Sequence, residues 1–124
     1  MQYLCIVYHS EEKLKAMSKS EHQALTNDSL DYDESLRRGG HYVHSNALEF
    51  VARAKTLRLK KGKVVVTDGP YVETREQVGG YILIEAKNQK EAIALASKIP
   101  PMRTGAIEVR PVRQLKYGRK KSGR

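Results

Sequence analysis

A chain of 124 residues that is 40% hydrophobic and 30% charged suffices for one domain and is too apolar for a disordered protein. Its apolar runs fall short of the roughly 20 residues that a membrane-spanning helix needs, and its N-terminus lacks the basic leader of a signal peptide, so we expect no membrane partner. The one cysteine, Cys5, excludes an internal disulfide and indicates a buried thiol in a reducing compartment, which predicts a cytoplasmic protein.

The predicted elements begin with a strand over residues 2–8, whose two faces are both mostly apolar. Ser18 and Glu21 form a capping-box pattern that predicts the start of a helix, and Gly39-Gly40 ends it. Residues 41–48 are extended. Two further strands, over 56–60 and 63–67, flank a tight turn at Lys61-Gly62.

In the second half of the chain, Pro70 interrupts the pattern because it donates no backbone hydrogen bond, and residues 72–78 are expected to form a loop or a helical turn. A strand over 81–86 is again apolar on both faces, apart from Glu85. Asn88 caps a second helix, which Pro100-Pro101 ends. Residues 106–112 form the last strand.

This order of elements predicts an α+β fold in which two helices cover one face of an antiparallel sheet. The strands over 2–8 and 81–86 are apolar on both faces, so the second face also needs a cover. A second copy of the chain is the simplest cover, and we therefore predict a homodimer whose facing sheets enclose a space.

The formal net charge of +9 is concentrated at the C-terminus. We predict one domain over residues 1–112, with a net charge of +3, and a flexible basic tail over 113–124. Contact of this tail with nucleic acid would be nonspecific and salt-sensitive. The tail contains no acidic residue, and its basic residues are Arg113, Lys116, Arg119, Lys120, Lys121 and Arg124.

One segment carries a family resemblance. From Asp68 to Tyr81 the chain has the sequence DGPYVETREQVGGY, which resembles the signature of the DGPF branch of YCII-related proteins. The similarity continues through Glu91-Ala92 and residues 108–112. Tyr71 replaces the phenylalanine of the family signature, and Arg75 replaces a lysine.

The resemblance implies a ferredoxin-like fold, with two helices on one face of the sheet, that pairs into a dimeric α+β barrel. It implies little about activity. Some relatives in the wider YCII group are lyases or dehalogenases that act on ring compounds with a His–Asp pair. Others are encoded beside, or fused to, sigma factors of the extracytoplasmic-function type.

The candidate site residues fall into two groups. Asp68, His41 and His9 are the catalytic candidates, although turn formation alone would explain Asp68 in its Asp-Gly-Pro context. The charged segment that follows supplies donors and acceptors for a small-molecule ligand, and there Arg75 would hold an anionic group while a carboxylate or histidine moves a proton. The ligand-binding candidates are Tyr71, Glu73, Arg75 and Glu76.

The sequence predicts neither a metal nor a cofactor. His41 and His44 are separated by an odd spacing on an extended segment, so their side chains should point to opposite faces. Phosphate-binding glycine loops and Cys-x-x-Cys motifs are missing from the sequence. A histidine early in the first helix also occurs in the catalytic pair of some YCII relatives. The first helix of the DGPF branch is longer, however, and we expect His22 to be solvent-exposed.

Two functional hypotheses remain open at this level. The first is a small-molecule binding protein, or lyase-type enzyme, with its site in the cavity of the dimer. The second is a non-enzymatic regulatory or interaction module that acts with an extracytoplasmic-function sigma factor. A concave pocket with converging ionisable groups would favour the first, and a filled interior with an exposed binding face would favour the second.

Overall fold

A computed structural model describes residues 1–119 of the chain. Six strands and three α-helices make up the regular structure of these residues, together with two short 3-10 helices. The strands are β1 (Gln2–Ser10), β2 (Tyr42–Ala47), β3 (Lys55–Lys60), β4 (Lys63–Asp68), β5 (Glu76–Glu85) and β6 (Gly105–Pro111). The α-helices are α1 (Glu11–Ala16), α2 (Lys19–Arg38) and α3 (Gln89–Ala96), and the 3-10 helices are Val51–Arg53 and Pro100–Thr104.

Four strands form an antiparallel sheet in the order β2-β5-β1-β6. Without β3, β4, the short helix α1 and the two 3-10 helices, the element order is strand, helix, strand, strand, helix, strand, and this strand order is that of a ferredoxin-like fold. The predicted fold class is therefore confirmed for the chain. β3 and β4 form a separate two-stranded sheet inserted between β2 and β5.

The ends of the elements follow from local chemistry. Ser18 Oγ accepts from the Glu21 N–H at 3.1 Å while the Glu21 carboxylate accepts from the Ser18 N–H at 2.9 Å, which is the predicted capping box of α2. Asn88 caps α3 through the Glu91 N–H. At the tip of the hairpin, Lys61 and Gly62 both have positive φ, as a two-residue hairpin turn requires.

The core lies between the sheet and the helices α2 and α3. Alternate residues of β1 and β5 point toward the helices and are buried, including Cys5 at 0% and Ile84 at 1% exposure. Leu36 of α2 and Ala92 of α3 pack against them. The prediction of a buried thiol is confirmed, and burial raises the pKa of Cys5 to about 11.

The structure corrects several sequence-based expectations. β5 begins at Glu76, so the segment 72–78 is partly strand because its second half pairs with residues 8–10 of β1. The short helix α1 and both 3-10 helices were not predicted, since runs of three to six residues carry too little periodicity. Residues 112–119 contain no helix or strand. Residues 120–124 of the predicted tail lie outside the described residues, and the flexibility of the tail stays a prediction.

Candidate functional site: a cavity between helix α2 and the sheet

A cavity of about 560 Å³ lies on the helix-covered side of the sheet. Its walls are mainly apolar, and a small number of polar side chains from β1, β2 and α2 face into it. Sites that hold small molecules commonly combine such walls with a few polar groups. The apolar lining includes Leu14, Leu25, Leu30, Phe50, Ile82 and Ile99, and the polar lining includes His9, His22, Thr26, Ser29, Asp33 and Ser45.

His9 reaches the cavity because the facing strand has no side chain at Gly79. A Cβ on Gly79 would lie 2.0–2.4 Å from three atoms of the His9 ring. The register between β1 and β5 shifts at this point, so Gly79 is the extra residue of a β-bulge. The glycine therefore provides the space that the imidazole occupies.

His9 also has the electrostatics of a proton acceptor. Burial lowers its pKa below the ordinary 6.5, and the nearby Glu11 opposes this shift only in part. The ring makes no hydrogen bond to any other residue of the described chain. His9 is thus a neutral imidazole at pH 7 with its nitrogens available to a ligand.

His22 and Asp33 line the same cavity from helix α2. Asp33 follows His22 by eleven residues, which is close to three full helical turns, so both side chains lie on one face of the helix. His22 Nε2 donates to the Leu14 carbonyl at 2.6 Å, which leaves Nδ1 as the acceptor in the neutral ring. The expectation that His22 is solvent-exposed is wrong, because α1 folds against this end of α2 and half-buries the ring.

A chain of hydrogen bonds holds the Asp33 carboxylate. Ser45 Oγ donates to Asp33 Oδ2 at 3.1 Å, and Tyr42 Oη donates in turn to Ser45 Oγ at 2.7 Å. Burial raises the pKa of Asp33, and the Ser45 hydrogen bond and the charge of Arg37 work against that rise. Asp33 is consequently easier to protonate than a carboxyl in water.

Among the catalytic candidates predicted from sequence, the structure places only His9 at the cavity. His41 Nδ1 donates to the Glu85 carbonyl at 2.9 Å, away from the cavity lining. Asp68 is exposed and forms a 2.5 Å ion pair with Lys55 Nζ.

The ligand-binding candidates Tyr71, Glu73, Arg75 and Glu76 lie in the exposed connection from β4 to β5 and at its end. Several polar groups of this connection bond to one another. Gln77 Nε2 donates to the carbonyls of Val72 and Thr74, and Thr74 Oγ1 donates to the Glu76 carbonyl. Some of the hydrogen-bond donors that suggested a ligand therefore stabilise the connection itself. A ligand role for the four candidates stays a prediction.

The other face of the four-stranded sheet carries a second apolar surface, here named the open sheet face. It consists of three cross-strand pairs between β1 and β5, Leu4–Leu83, Ile6–Tyr81 and Tyr8–Val78. All six side chains are partly or well exposed. Polar residues flank them: Tyr81 Oη accepts from Asn46 at 3.2 Å and lies 2.8 Å from His44 Nδ1, while Tyr8 Oη donates to Glu108 at 3.0 Å.

Comparison with known proteins assigns the family. The family model described as the YCII-related domain matches residues 1–116. The chain belongs to the YCII-related family. An uncharacterised protein of Rhizobium meliloti (strain 1021) is 34% identical over 126 residues, covering 95% of this chain and 97% of the relative.

A solved structure of similar architecture supports the fold. It is the 5-chloro-2-hydroxyhydroquinone dehydrochlorinase from Burkholderia phenoliruptrix AC1100, in complex with 2,5-dihydroxybenzoquinone. The two chains are 16% identical and superpose with a TM-score of 0.51, covering 95% of this chain and 96% of the dehydrochlorinase. At this identity the likeness concerns the fold alone.

Two further observations concern residues 1–119. No group of three or more His, Cys, Asp or Glu side chains in this part of the chain is placed to hold a metal ion. None of the helices described there has the length and apolar character to span a membrane.

Proposed function

We propose that this YCII-related protein is a cytoplasmic homodimer of the DGPF branch that binds a small molecule in the helix-side cavity and transfers a proton to or from it. The observation that carries the proposal is the meeting of His9, His22 and Asp33 around one mainly apolar cavity. A site of about 560 Å³ accommodates a compound of one or two rings.

The roles of His9 and Asp33 follow from the directions in which their pKa values are shifted. His9 is neutral and free of hydrogen bonds, so it can take a proton from the ligand. Asp33, with its raised pKa, can return a proton to a departing group. In a lyase-type elimination, the electron pair of the broken C–H bond forms the new double bond, and the leaving group departs with the electrons of its own bond.

The cavity also helps to choose between the two functional hypotheses. A regulatory module that works through its surface has no need of an unfilled pocket lined by ionisable groups. The 560 Å³ cavity therefore favours ligand binding over a module that acts with an extracytoplasmic-function sigma factor. The exposed apolar surface, which such a module would use for its partner, is explained equally well by a second copy of the chain.

The homodimer rests on the open sheet face. Its six side chains form a continuous apolar stripe along β1 and β5. Two such stripes, packed face to face, would bury each other as the two sheets of a sandwich do. The candidates Asp68, Tyr71, Glu73, Arg75 and Glu76 are not among the residues that line the helix-side cavity of their own chain.

The ring compound 2,5-dihydroxybenzoquinone is a suitable probe for the cavity, because it is bound in the structurally similar dehydrochlorinase. We expect its addition to shift the NMR signals of the His9 and His22 rings and to leave those of His44, on the opposite side of the sheet, unchanged. His9→Asn should weaken binding at least tenfold, whereas the matched variant His44→Asn should not change it. Shifts confined to His44 would place the site on the open sheet face and contradict the proposal.

A further inference from the structure

The β3–β4 hairpin has one apolar face and one basic face. Residues directly opposite each other in an antiparallel pair share a face, and so do residues two apart along a strand. The register pairs Leu57 with Val66 and Leu59 with Val64, so these four side chains lie together. The opposite face carries Arg58 and the cross-strand neighbours Lys60 and Lys63, together with Thr56, Val65 and Thr67.

The apolar face of the hairpin is uncovered within the described chain. Leu57, Leu59, Val64 and Val66 are 63%, 72%, 64% and 59% exposed. An isolated two-stranded hairpin is only marginally stable in water, and exposed aliphatic clusters usually mark contact surfaces. Neither the register nor the turn explains why four aliphatic residues share one exposed face of the hairpin, but a partner packed on that face does.

We infer that the hairpin is a dimerisation arm whose apolar face packs on a second copy of this chain. The inference rests on the homodimer proposed above and adds a second contact to it. The open sheet face, with its flanking residues His44, Asn46, Glu108 and Arg110, supplies ten side chains, which is a third to a half of the roughly 20–30 residues that each side of a stable interface uses. The arm brings four more apolar residues and the chain around them.

The chemistry of the arm fits a protein surface better than a lipid surface. Segments that lie in a membrane interface anchor themselves with aromatic side chains such as Trp, Tyr and Phe. The apolar cluster of the arm consists of Leu and Val, the residues that interdigitate in dry contacts between packed protein layers, and the Lys55–Asp68 ion pair closes its base. The basic face would then remain in solvent and keep the arm from folding back on its other side.

The arm would carry the segment after β4 toward the partner. Gly69 is fixed to the base of the hairpin, because its N–H donates to the Ala54 carbonyl and its carbonyl accepts from Thr56 Oγ1, both at 2.9 Å. The Arg58 guanidinium lies 5.1 Å from the centre of the Tyr71 ring. Docking of the arm therefore positions Tyr71 and its neighbours relative to the second chain.

The test compares two pairs of substitutions on opposite faces of the same hairpin. Leu57→Thr with Leu59→Thr keeps strand-forming residues but removes apolar contacts, and Lys60→Thr with Lys63→Thr is the matched control on the basic face. By sedimentation over a dilution series, we expect the first pair to raise the dimer dissociation constant about 100-fold or more and the control to change it less than about threefold.

The possible results distinguish a failure of the proposed arm contact from a failure of the proposed homodimer. A dimeric wild type whose dissociation constant is unaffected by the Leu57/Leu59 pair would overturn the arm and leave the proposed homodimer intact. A wild type that is monomeric at micromolar concentration would overturn both. Flotation with vesicles of phosphatidylcholine and phosphatidylserine tests for a membrane contact. Vesicle binding that depends on Leu57 and Leu59, together with a dimer dissociation constant that the Leu57/Leu59 pair leaves unchanged, would overturn the arm in favour of that contact.

A photo-crosslinking experiment guards against loss of folding in the substituted chains. A benzophenone amino acid at position 59 should crosslink a tagged chain to an untagged one, and the same group at position 60, on the basic face, should not. Crosslinks from position 59 that stay within one chain would overturn the inference.

Discussion

The packing of His9 against Gly79 couples two residues that lie seventy positions apart in the chain. The glycine is needed because of its neighbour rather than its backbone angles, since its φ lies outside the left-handed region. Gly79→Ala would force the imidazole out of its position in the cavity. We expect the substitution to lower the free energy of unfolding by about 1–3 kcal/mol, because the new methyl group displaces the ring from its position on the strand, and to weaken binding of a ring compound.

A double-mutant cycle measured by urea unfolding tests this coupling. In a His9→Ala background the ring is absent, and Gly79→Ala should become nearly neutral. Gly105→Ala provides the control, because a Cβ there would lie 1.8 Å from the Tyr8 carbonyl oxygen, which His9→Ala leaves in place. Equal costs of Gly79→Ala in both backgrounds would show that the His9 ring is not what excludes a side chain.

The lowered pKa of His9 makes the stability of the fold depend on pH. Because burial lowers the pKa in the folded state, the unfolded chain binds the proton more tightly. The contribution of the neutral ring is therefore fully present above the ordinary pKa of 6.5 and is lost as the pH falls through the folded pKa. Unfolding free energies measured from about pH 7.5 downward should fall less steeply for His9→Asn than for the wild type. Parallel curves would contradict a buried, neutral His9.

His9 could be identified from the sequence, but His22 and Asp33, which line the same cavity, were missed. His22 and Asp33 are spaced by about three helical turns, and this spacing was available as a signal. What the sequence could not supply was the position of α1, which half-buries His22 against the Leu14 carbonyl. The charged segment around Arg75 drew attention for its composition, yet Thr74 and Gln77 direct their donors into that segment itself.

At the scale of elements, the capping box of α2 is the clearest local determinant of structure. We expect Ser18→Ala to lower the free energy of unfolding by about 1 kcal/mol, because it leaves the Glu21 N–H without its acceptor. The exposed neighbouring position supplies the control, Lys19→Ala, which should have little effect. Thermal unfolding at a fixed protein concentration would measure both, and the loss at Ser18 corresponds to a melting temperature lowered by about 4 °C.

The elements that could be predicted are those whose ends carry distinct chemistry. α2 and α3 were recognisable from Ser18 and Asn88 at their N-caps, and the β3–β4 hairpin from Lys61-Gly62. The start of β5 was missed because Glu76 is polar and its strand conformation depends on pairing with Ser10 of β1. The local sequence pattern predicts conformation poorly where pairing with a distant strand decides it.

For the whole molecule, the two faces of the four-stranded sheet differ in how they are covered. On one face, residues such as Tyr3 and Ile82 are buried by helices, and Ile82 also lines the cavity. On the other, Leu4 and Leu83 lie opposite each other with no helix of residues 1–119 packed over them. The sequence already showed that β1 and β5 are apolar on both sides, since period-two alternation was absent there. It could not show that the cavity would form on the helix side.

A charge on the open sheet face provides the sharpest test of the homodimer. Leu83 pairs with Leu4 on one side and His44 on the other, so Leu83→Lys would place an ammonium group near the middle of the apolar stripe. In a face-to-face dimer the two lysines would be desolvated close to each other, which costs several kcal/mol. We expect Leu83→Lys to sediment as a folded monomer that retains binding of 2,5-dihydroxybenzoquinone in the cavity.

Ile93→Lys is the control for this charge. Ile93 is 53% exposed on α3, so its substitution should leave the dimer unchanged. A Leu83→Lys chain that stays dimeric at micromolar concentration would mean that the open sheet face is not where the two copies meet.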